Sequence, residues 1–167
     1  MRRAKLDKID RQILSDLQDN GRMTNVDLAN NAGISAPPCL RRVRTLEDNG
    51  FIRGYHADVN AEMLGYSVVV FAFVGLQSQA ESDLAAFEEQ VANWPLVRES
   101  FMLQGETDFL LKVVARDLES YNKFLTQELT AAPNVANVKS ALGVRNSKHD
   151  FGVPIDLSGA DEEDDGY

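Results

Sequence analysis

Three arginines, Arg41, Arg42 and Arg44, lie within four positions of a chain whose formal net charge is −9. A guanidinium group binds phosphate oxygens and the edges of bases, because its N–H donors form a fixed fork. At about 3.6 residues per turn, a helix over this stretch would place Pro38, Arg41 and Thr45 opposite its apolar face. Arg42 and Arg44 would flank that column. The spacing predicts a helix whose cationic face meets an anion.

The charge of the chain is unevenly distributed. Residues 1–56 contain ten Lys/Arg and seven Asp/Glu, which gives +3, whereas the remaining residues sum to −12. Such asymmetry is typical of a chain with one nucleic-acid-binding segment. A solvated basic surface would give the same count, so charge alone leaves both interpretations open.

Three short helices are predicted to position the arginines. Apolar residues at helical spacing indicate a first helix from Leu6 to the turn at Asn20-Gly21. Thr24 is a good N-cap for a second helix of about two turns, which ends at Gly33. Ser35 is a good N-cap for the third, whose first turn contains two prolines where backbone N–H groups have no intrahelical partner. This order predicts a helix-turn-helix whose second helix enters the major groove of double-stranded DNA.

We predict that the DNA-contacting residues are the column on the third helix, its flanks and N-cap, and two further arginines that contact phosphates. They are Ser35, Pro38, Arg41, Arg42, Arg44, Thr45, Arg22 and Arg53. The alternative is that these side chains only solvate a surface helix.

The fold class predicted for the chain is α+β. Residues 1–50 form the helix-turn-helix domain, and residues 51–66 form a strand linker, because 51–59 alternates and is rich in β-formers. Residues 67–155 show the order of a ferredoxin-like βαββαβ domain. Residues 156–167 contain six acids without apolar periodicity, which predicts a disordered acidic tail.

The first strand of the second domain, 67–77, is apolar on both faces, with Val70 and Val74 on one side and Phe71 and Phe73 on the other. Two helices cover only one face of such a sheet, so we predict a homodimer through the other face. The second helix of this domain is predicted to turn inward Leu118, Tyr121, Phe124, Leu125 and Leu129.

Composition argues against several other classes of protein. One cysteine, Cys39, and two histidines give neither a disulfide nor a metal cluster, and no nucleophile stands beside a base. We therefore predict no catalytic residue, metal or cofactor. No apolar run reaches the roughly 20 residues of a membrane helix, and acids directly follow the basic start, so a cytoplasmic protein without a signal peptide is expected.

Three stretches carry a family resemblance: IDRQILSDLQDNGRMTNVDLA, GISAPPCLRRVRTLEDNGFIRGYHADVN and GETDFLLKV. Together they resemble the Lrp/AsnC (leucine-responsive, feast/famine) family of prokaryotic transcription regulators, over residues 5 to about 155. The resemblance implies DNA-binding homodimers assembled through the C-terminal domain, often into octamers. It also implies regulation by a small effector, commonly an amino acid.

In that family the effector lies between dimers, against a loop and the last strand. The matching positions here are Gly105, Glu106, Thr107, Asp108, Ser140, Ala141 and Leu142. A turn with glycine can present backbone amides to a carboxylate, and Asp108 can accept from an α-ammonium group. The alternative is that Asp108 only caps the turn into its strand.

Sirohaem decarboxylase subunits share this two-domain architecture, so an enzyme of that type is the alternative function. Haem chemistry would require His or Arg inside the cavity of the second domain. The two histidines, His56 and His149, lie instead in the linker and near the C-terminal end. Their positions favour the regulator.

Overall fold

A computed structural model describes residues 5–158 of the chain. The chain divides into two compact units, one containing Met1–Asp58 and Lys148–Tyr167 and the other Val59–Ser147. The predicted acidic tail falls largely on residues 159–167, outside the described part.

The first unit contains the three predicted helices: α1 (Lys8–Asp19), α2 (Asn25–Asn31) and α3 (Ala36–Asp48). Asp7 caps α1 in a reciprocal capping box with Asp10, and Thr24 caps α2 by accepting from the Asp27 amide. Ser35 occupies the N-cap position of α3, but its side chain makes no capping hydrogen bond. The prolines in the first turn of α3 set the start of that helix instead, because their φ is already helical.

A small apolar core holds these helices together. Ile13 from α1, Leu28 from α2, and Cys39 and Leu46 from α3 are buried in it. Burial raises the pKa of the Cys39 thiol, so this side chain stays protonated and packs as a small apolar residue. Since Cys39 and Leu46 face this core, the opposite face of α3 must point outward.

The second unit is a four-stranded antiparallel sheet with two helices. Its elements are β1 (Val68–Leu76), α4 (Glu81–Ala92), β2 (Val97–Met102), β3 (Phe109–Ala115), α5 (Leu118–Phe124) and β4 (Val135–Gly143). The strand order β2-β3-β1-β4 and the chain order βαββαβ confirm the ferredoxin-like prediction and the α+β class. A short 3₁₀ helix, Glu62–Leu64, precedes the sheet, and a π-helical turn, Leu125–Leu129, follows α5.

The two faces of the sheet differ in burial. Val70 and Val74 are buried against α4 and α5 together with Leu111 of β3. Alternate residues point to the other face, which we call the outer face; there Phe71 is 36% exposed and Phe73 is half-buried. The helices therefore cover one face of an apolar sheet, as the sequence predicts.

The prediction of a strand between the domains is wrong. Within the described residues, 51–59 has no regular secondary structure and pairs with no neighbouring strand, and a 3₁₀ helix follows it at Glu62–Leu64. A β-strand needs a hydrogen-bonded neighbour, which the sequence pattern alone cannot supply. In the division into compact units, the boundary falls after Asp58, and residues 148–155 group with the first unit.

The inward face of α5 also differs from its prediction. Tyr121, Phe124 and Leu129 are buried, but Leu118 is 51% exposed. Leu118 is the first residue of the helix, one turn before the part that packs on the sheet.

We expect Leu129→Ala and Leu118→Ala to differ in stability. Leu129 is fully buried, so its truncation should lower the free energy of unfolding by about 2–5 kcal/mol. Leu118→Ala should change it by less than about 0.5 kcal/mol, because the side chain is half exposed. Urea unfolding followed by circular dichroism measures both. Equal losses would show that the first turn of α5 is packed as firmly as its end.

Candidate nucleic-acid interface and candidate ligand site

The outward face of α3 carries the predicted DNA-contacting column. Arg41, Arg44 and Thr45 are exposed, and Pro38 is half-buried in the first turn. The Thr45 hydroxyl donates to the Arg41 carbonyl at 2.9 Å, so it is held against its own helix. Arg41 and Arg44 are thus the long cationic side chains that this face offers to DNA.

Arg42 does not share that face. Its Nη1 donates to Asp7 Oδ2 and to Asp10 Oδ1, each at 2.8 Å. These hydrogen bonds raise the pKa of the Arg42 guanidinium. Burial raises the pKa of the Asp7 carboxyl, but bonds from the Asp10 amide and from Arg42 outweigh it and hold that pKa below its usual value. Arg42 therefore ties α3 to the start of α1, and these contacts favour a structural role over the predicted DNA contact.

A second polar contact fixes the start of α3. The Asn25 Nδ2 group donates to the Ala36 carbonyl at 2.8 Å, which ties α2 to the first residue of α3. Sequence reasoning missed Asn25, because an asparagine in the first turn of a helix is common whether or not it contacts another helix. Together with Arg42, it sets the angle at which α3 is presented.

The remaining predicted DNA contacts lie on other elements of the same unit. Arg22 is exposed in the turn before α2, where its amide donates to Asn20 Oδ1, and Arg53 is exposed just after α3. A cleft of about 190 Å³ runs beside Arg41 and is also lined by Lys5 and Asn49. Sequence reasoning missed Lys5, because it precedes the first helix and belongs to no periodic pattern.

The predicted ligand loop joins β2 to β3. Gly105, Glu106 and Thr107 form its tip, and Leu103 and Asp108 close it, with the Leu103 amide donating to the Asp108 carbonyl at 2.7 Å. The loop lies at the end of the sheet where β3 meets the end of β1.

Both carboxylate oxygens of Asp108 are already used within the chain. Oδ2 accepts from the Leu76 amide at 2.6 Å, and Oδ1 accepts from Gln79 Nε2 at 2.7 Å. The Asp108 amide in turn donates to the Val74 carbonyl at 3.0 Å. These contacts favour the capping alternative for Asp108, and the strand that it caps is β1.

The predicted ligand residues of β4 lie on opposite faces of the sheet. Ser140 pairs with Ala72 on the helix face and hydrogen-bonds the Tyr121 hydroxyl, whereas Ala141 pairs with Phe71 on the outer face. Leu142 returns to the helix face and is 50% exposed. Because β1 and β3 separate β4 from β2, a single chain does not bring these residues to the β2–β3 loop.

Comparison with known proteins supports both the DNA-binding helices and the ligand-binding sheet domain. Residues 69–153 match the Lrp/AsnC ligand binding domain, and residues 6–53 match a winged helix-turn-helix DNA-binding domain. The chain belongs to the Lrp/AsnC family. It is therefore a DNA-binding transcriptional regulator with a ligand-binding domain.

Relatives of this Lrp/AsnC regulator span nearly the whole chain. The leucine-responsive regulatory protein of Rhizobium meliloti is 55% identical over 153 residues, which cover 92% of this chain and 98% of the relative. The Bkd operon transcriptional regulator of Pseudomonas aeruginosa is 43% identical, covering 86% and 94%. A transcriptional regulator of Neisseria meningitidis, solved as a complex with L-Met, is 35% identical with a TM-score of 0.85, covering 90% and 97%.

Within residues 5–158, no helix combines the length and apolar character that crossing a membrane requires. The same described residues contain no group of three or more His, Cys, Asp or Glu side chains placed to hold a metal ion.

We expect Arg41→Ala and Arg42→Met to impair DNA binding in different ways. Arg41→Ala should lower the affinity for a selected operator by about 1–3 kcal/mol and relax base preference, because a donor fork to a base edge is lost. Arg42→Met should lower the free energy of unfolding but leave the slope of log Kd against log salt unchanged. Fluorescence anisotropy with operator and random duplexes across a salt series tests both. A salt slope reduced by about one in Arg42→Met would return Arg42 to the phosphate contacts.

We expect Asp108→Ala to destabilise the sheet unit. The substitution leaves the Leu76 amide without its acceptor, which should lower the free energy of unfolding by about 1–3 kcal/mol. Glu106→Ala is the matched control in the same loop, and it should change stability by less than about 0.5 kcal/mol because Glu106 is exposed. Urea unfolding compares the two. Equal stability of both variants would contradict the capping role.

Proposed function

We propose that this regulator acts as a homodimer joined through the outer face of its sheet, and that a free amino acid modulates its assembly or its DNA affinity. The observation that carries the proposal is the separation of the candidate ligand residues in one chain. The β2–β3 loop and β4 lie on opposite sides of the sheet order, so a second copy must complete the site.

The outer face has the composition of an interface. Phe71 and Phe73 from β1 lie there beside Leu110 of β3 and Phe101 of β2, which the strand register places on the same side. Phe101 is 51% exposed in one chain. Aromatic and aliphatic side chains on adjacent strands form a continuous apolar patch, and a two-fold axis would cover it with its own copy. Larger assemblies, including octamers, would then use the remaining surfaces.

The β2–β3 loop supplies the chemistry for an amino acid. Its backbone amides around Gly105 can donate to an α-carboxylate, as turns commonly do for anions. Asp108 is occupied within the chain, so Glu106, the exposed carboxylate of the loop, is the acceptor we assign to the α-ammonium group. The L-Met complex of the Neisseria relative supports this class of ligand.

DNA binding and ligand binding are coupled through assembly in this proposal. A helix-turn-helix dimer reads two half-sites about one helical turn apart, so the spacing between its two α3 helices determines affinity. A ligand held between copies favours one arrangement of them. By linkage, it must change DNA affinity by the same factor by which DNA changes the affinity for the ligand.

We expect Phe71→Asp to dissociate the protein and to abolish ligand binding together. A charge buried at the interface costs several kcal/mol, so sedimentation should show folded monomer where the wild type shows dimer or a larger species. Leu118→Asp is the matched control, because Leu118 is also partly exposed but lies on α5 and not on the sheet.

Calorimetry against the twenty amino acids should then detect a ligand with wild type and with Leu118→Asp, but not with Phe71→Asp. Circular dichroism verifies that each variant is folded. A native dimer in Phe71→Asp would refute the sheet-mediated interface, whereas full ligand binding by its monomer would refute a site shared between copies.

A further inference from the structure

Residues 148–158, which we call the strap, follow the last strand of the sheet yet belong to the DNA-binding unit. Gln18 of α1 holds the strap through both atoms of its side-chain amide. Its Oε1 accepts from the Val153 amide at 3.0 Å, and its Nε2 donates to the Val153 carbonyl at 2.8 Å. Farther along, Arg11 Nη1 donates to the Asp156 carbonyl at 3.5 Å. The Gln18 amide thus makes the pair of backbone hydrogen bonds to Val153 that a neighbouring β-strand would make.

The sequence of the strap fits this contact. Gly152 has φ +67°, which lies in the left-handed region that favours glycine. A Cβ at this position would overlap the side-chain amide of Gln18, so the amide would have to move and release Val153. Gly152 is therefore required for the docked arrangement.

The strap runs along α1 towards the recognition helix. Val153 lies at Gln18 near the end of α1, and Asp156 lies at Arg11, so the strap is antiparallel to the helix. Asp156 therefore lies nearer than Val153 to the beginning of α1, which is the end that Arg42 ties to α3. The five acids at 161–165 begin five residues after Asp156, within about 17 Å of extended chain.

The strap and the acids that follow it reverse the charge of the DNA-binding unit. Residues 1–58 sum to +2, whereas residues 148–167 sum to −6, so the unit as a whole carries −4. A negative net charge weakens the attraction to the DNA backbone that the cationic face would otherwise provide. Tethering holds them at an effective concentration of about millimolar, far above that of a free competitor.

We propose that the strap positions the acids at 161–165 to compete with DNA phosphates for the cationic face of α3. The competition lowers non-specific affinity more than operator affinity, because operator binding adds contacts to base edges that carboxylates do not replace. The regulator thereby leaves random DNA more readily without losing its specific sites.

Two variants test the acids and need no change in the described fold. One deletes residues 159–167, and the other replaces the five acids by the corresponding amides. Both should tighten binding to a random duplex by about 3- to 10-fold at low salt, with the gain shrinking as salt screens the acids. Operator affinity should rise less. Unchanged random-duplex affinity in both variants overturns the proposal.

Two substitutions on α1 test the strap. Gln18→Leu removes both hydrogen bonds to Val153. It should give part of the increase in random-duplex affinity that the deletion gives, because the acids stay attached to the chain while the strap is no longer fixed to α1. Gln12→Leu is the matched control, since Gln12 bonds Asp16 on the same helix. Combining Gln18→Leu with the deletion should add nothing to the deletion alone. An equal gain from Gln12→Leu, or a full additional gain in the combined variant, would show that the strap does not position the acids.

Discussion

A four-stranded sheet with only two helices can bury one of its faces, and the proposed assembly of this protein depends on that constraint. Val70, Val74 and Leu111 are buried beneath the helices, while Phe71 and Phe73 remain on the outer face. Packing this apolar face against another copy would stabilise the sheet, bring two DNA-binding units together and complete a ligand site that one chain leaves divided. Dimerisation, half-site spacing and ligand response then share one physical origin.

Much of the fold could be predicted because its signals are local. Caps such as Thr24 and the continuous apolar run of β1 act within a few residues, so the helices and the strands of the sheet lie where expected. Partners distant in sequence could not be predicted. Arg42 bonds an acid 35 positions away, Asp108 accepts from an amide 32 positions away, and Gln18 holds a backbone group 135 positions away. Each of these side chains has a role that its own neighbourhood does not reveal.

The three arginines of α3 differ in their surroundings, although they are close in sequence. The charge of Arg42 is offset by Asp7 and Asp10, to which it is hydrogen-bonded, so this arginine is held within the unit. Arg41 and Arg44 stay exposed for recognition. Because Arg42 fixes the helix that carries Arg41 and Arg44, the structural contact and the proposed DNA contacts lie within about one turn of α3.

The outer face also carries one ion pair, in which Lys112 donates to Glu99 at 2.6 Å across neighbouring strands. An interface of aliphatic and aromatic side chains alone discriminates weakly between chains of similar shape. If the outer face pairs two copies as we propose, Lys112 and Glu99 add to it a charge pattern that a second subunit would have to match.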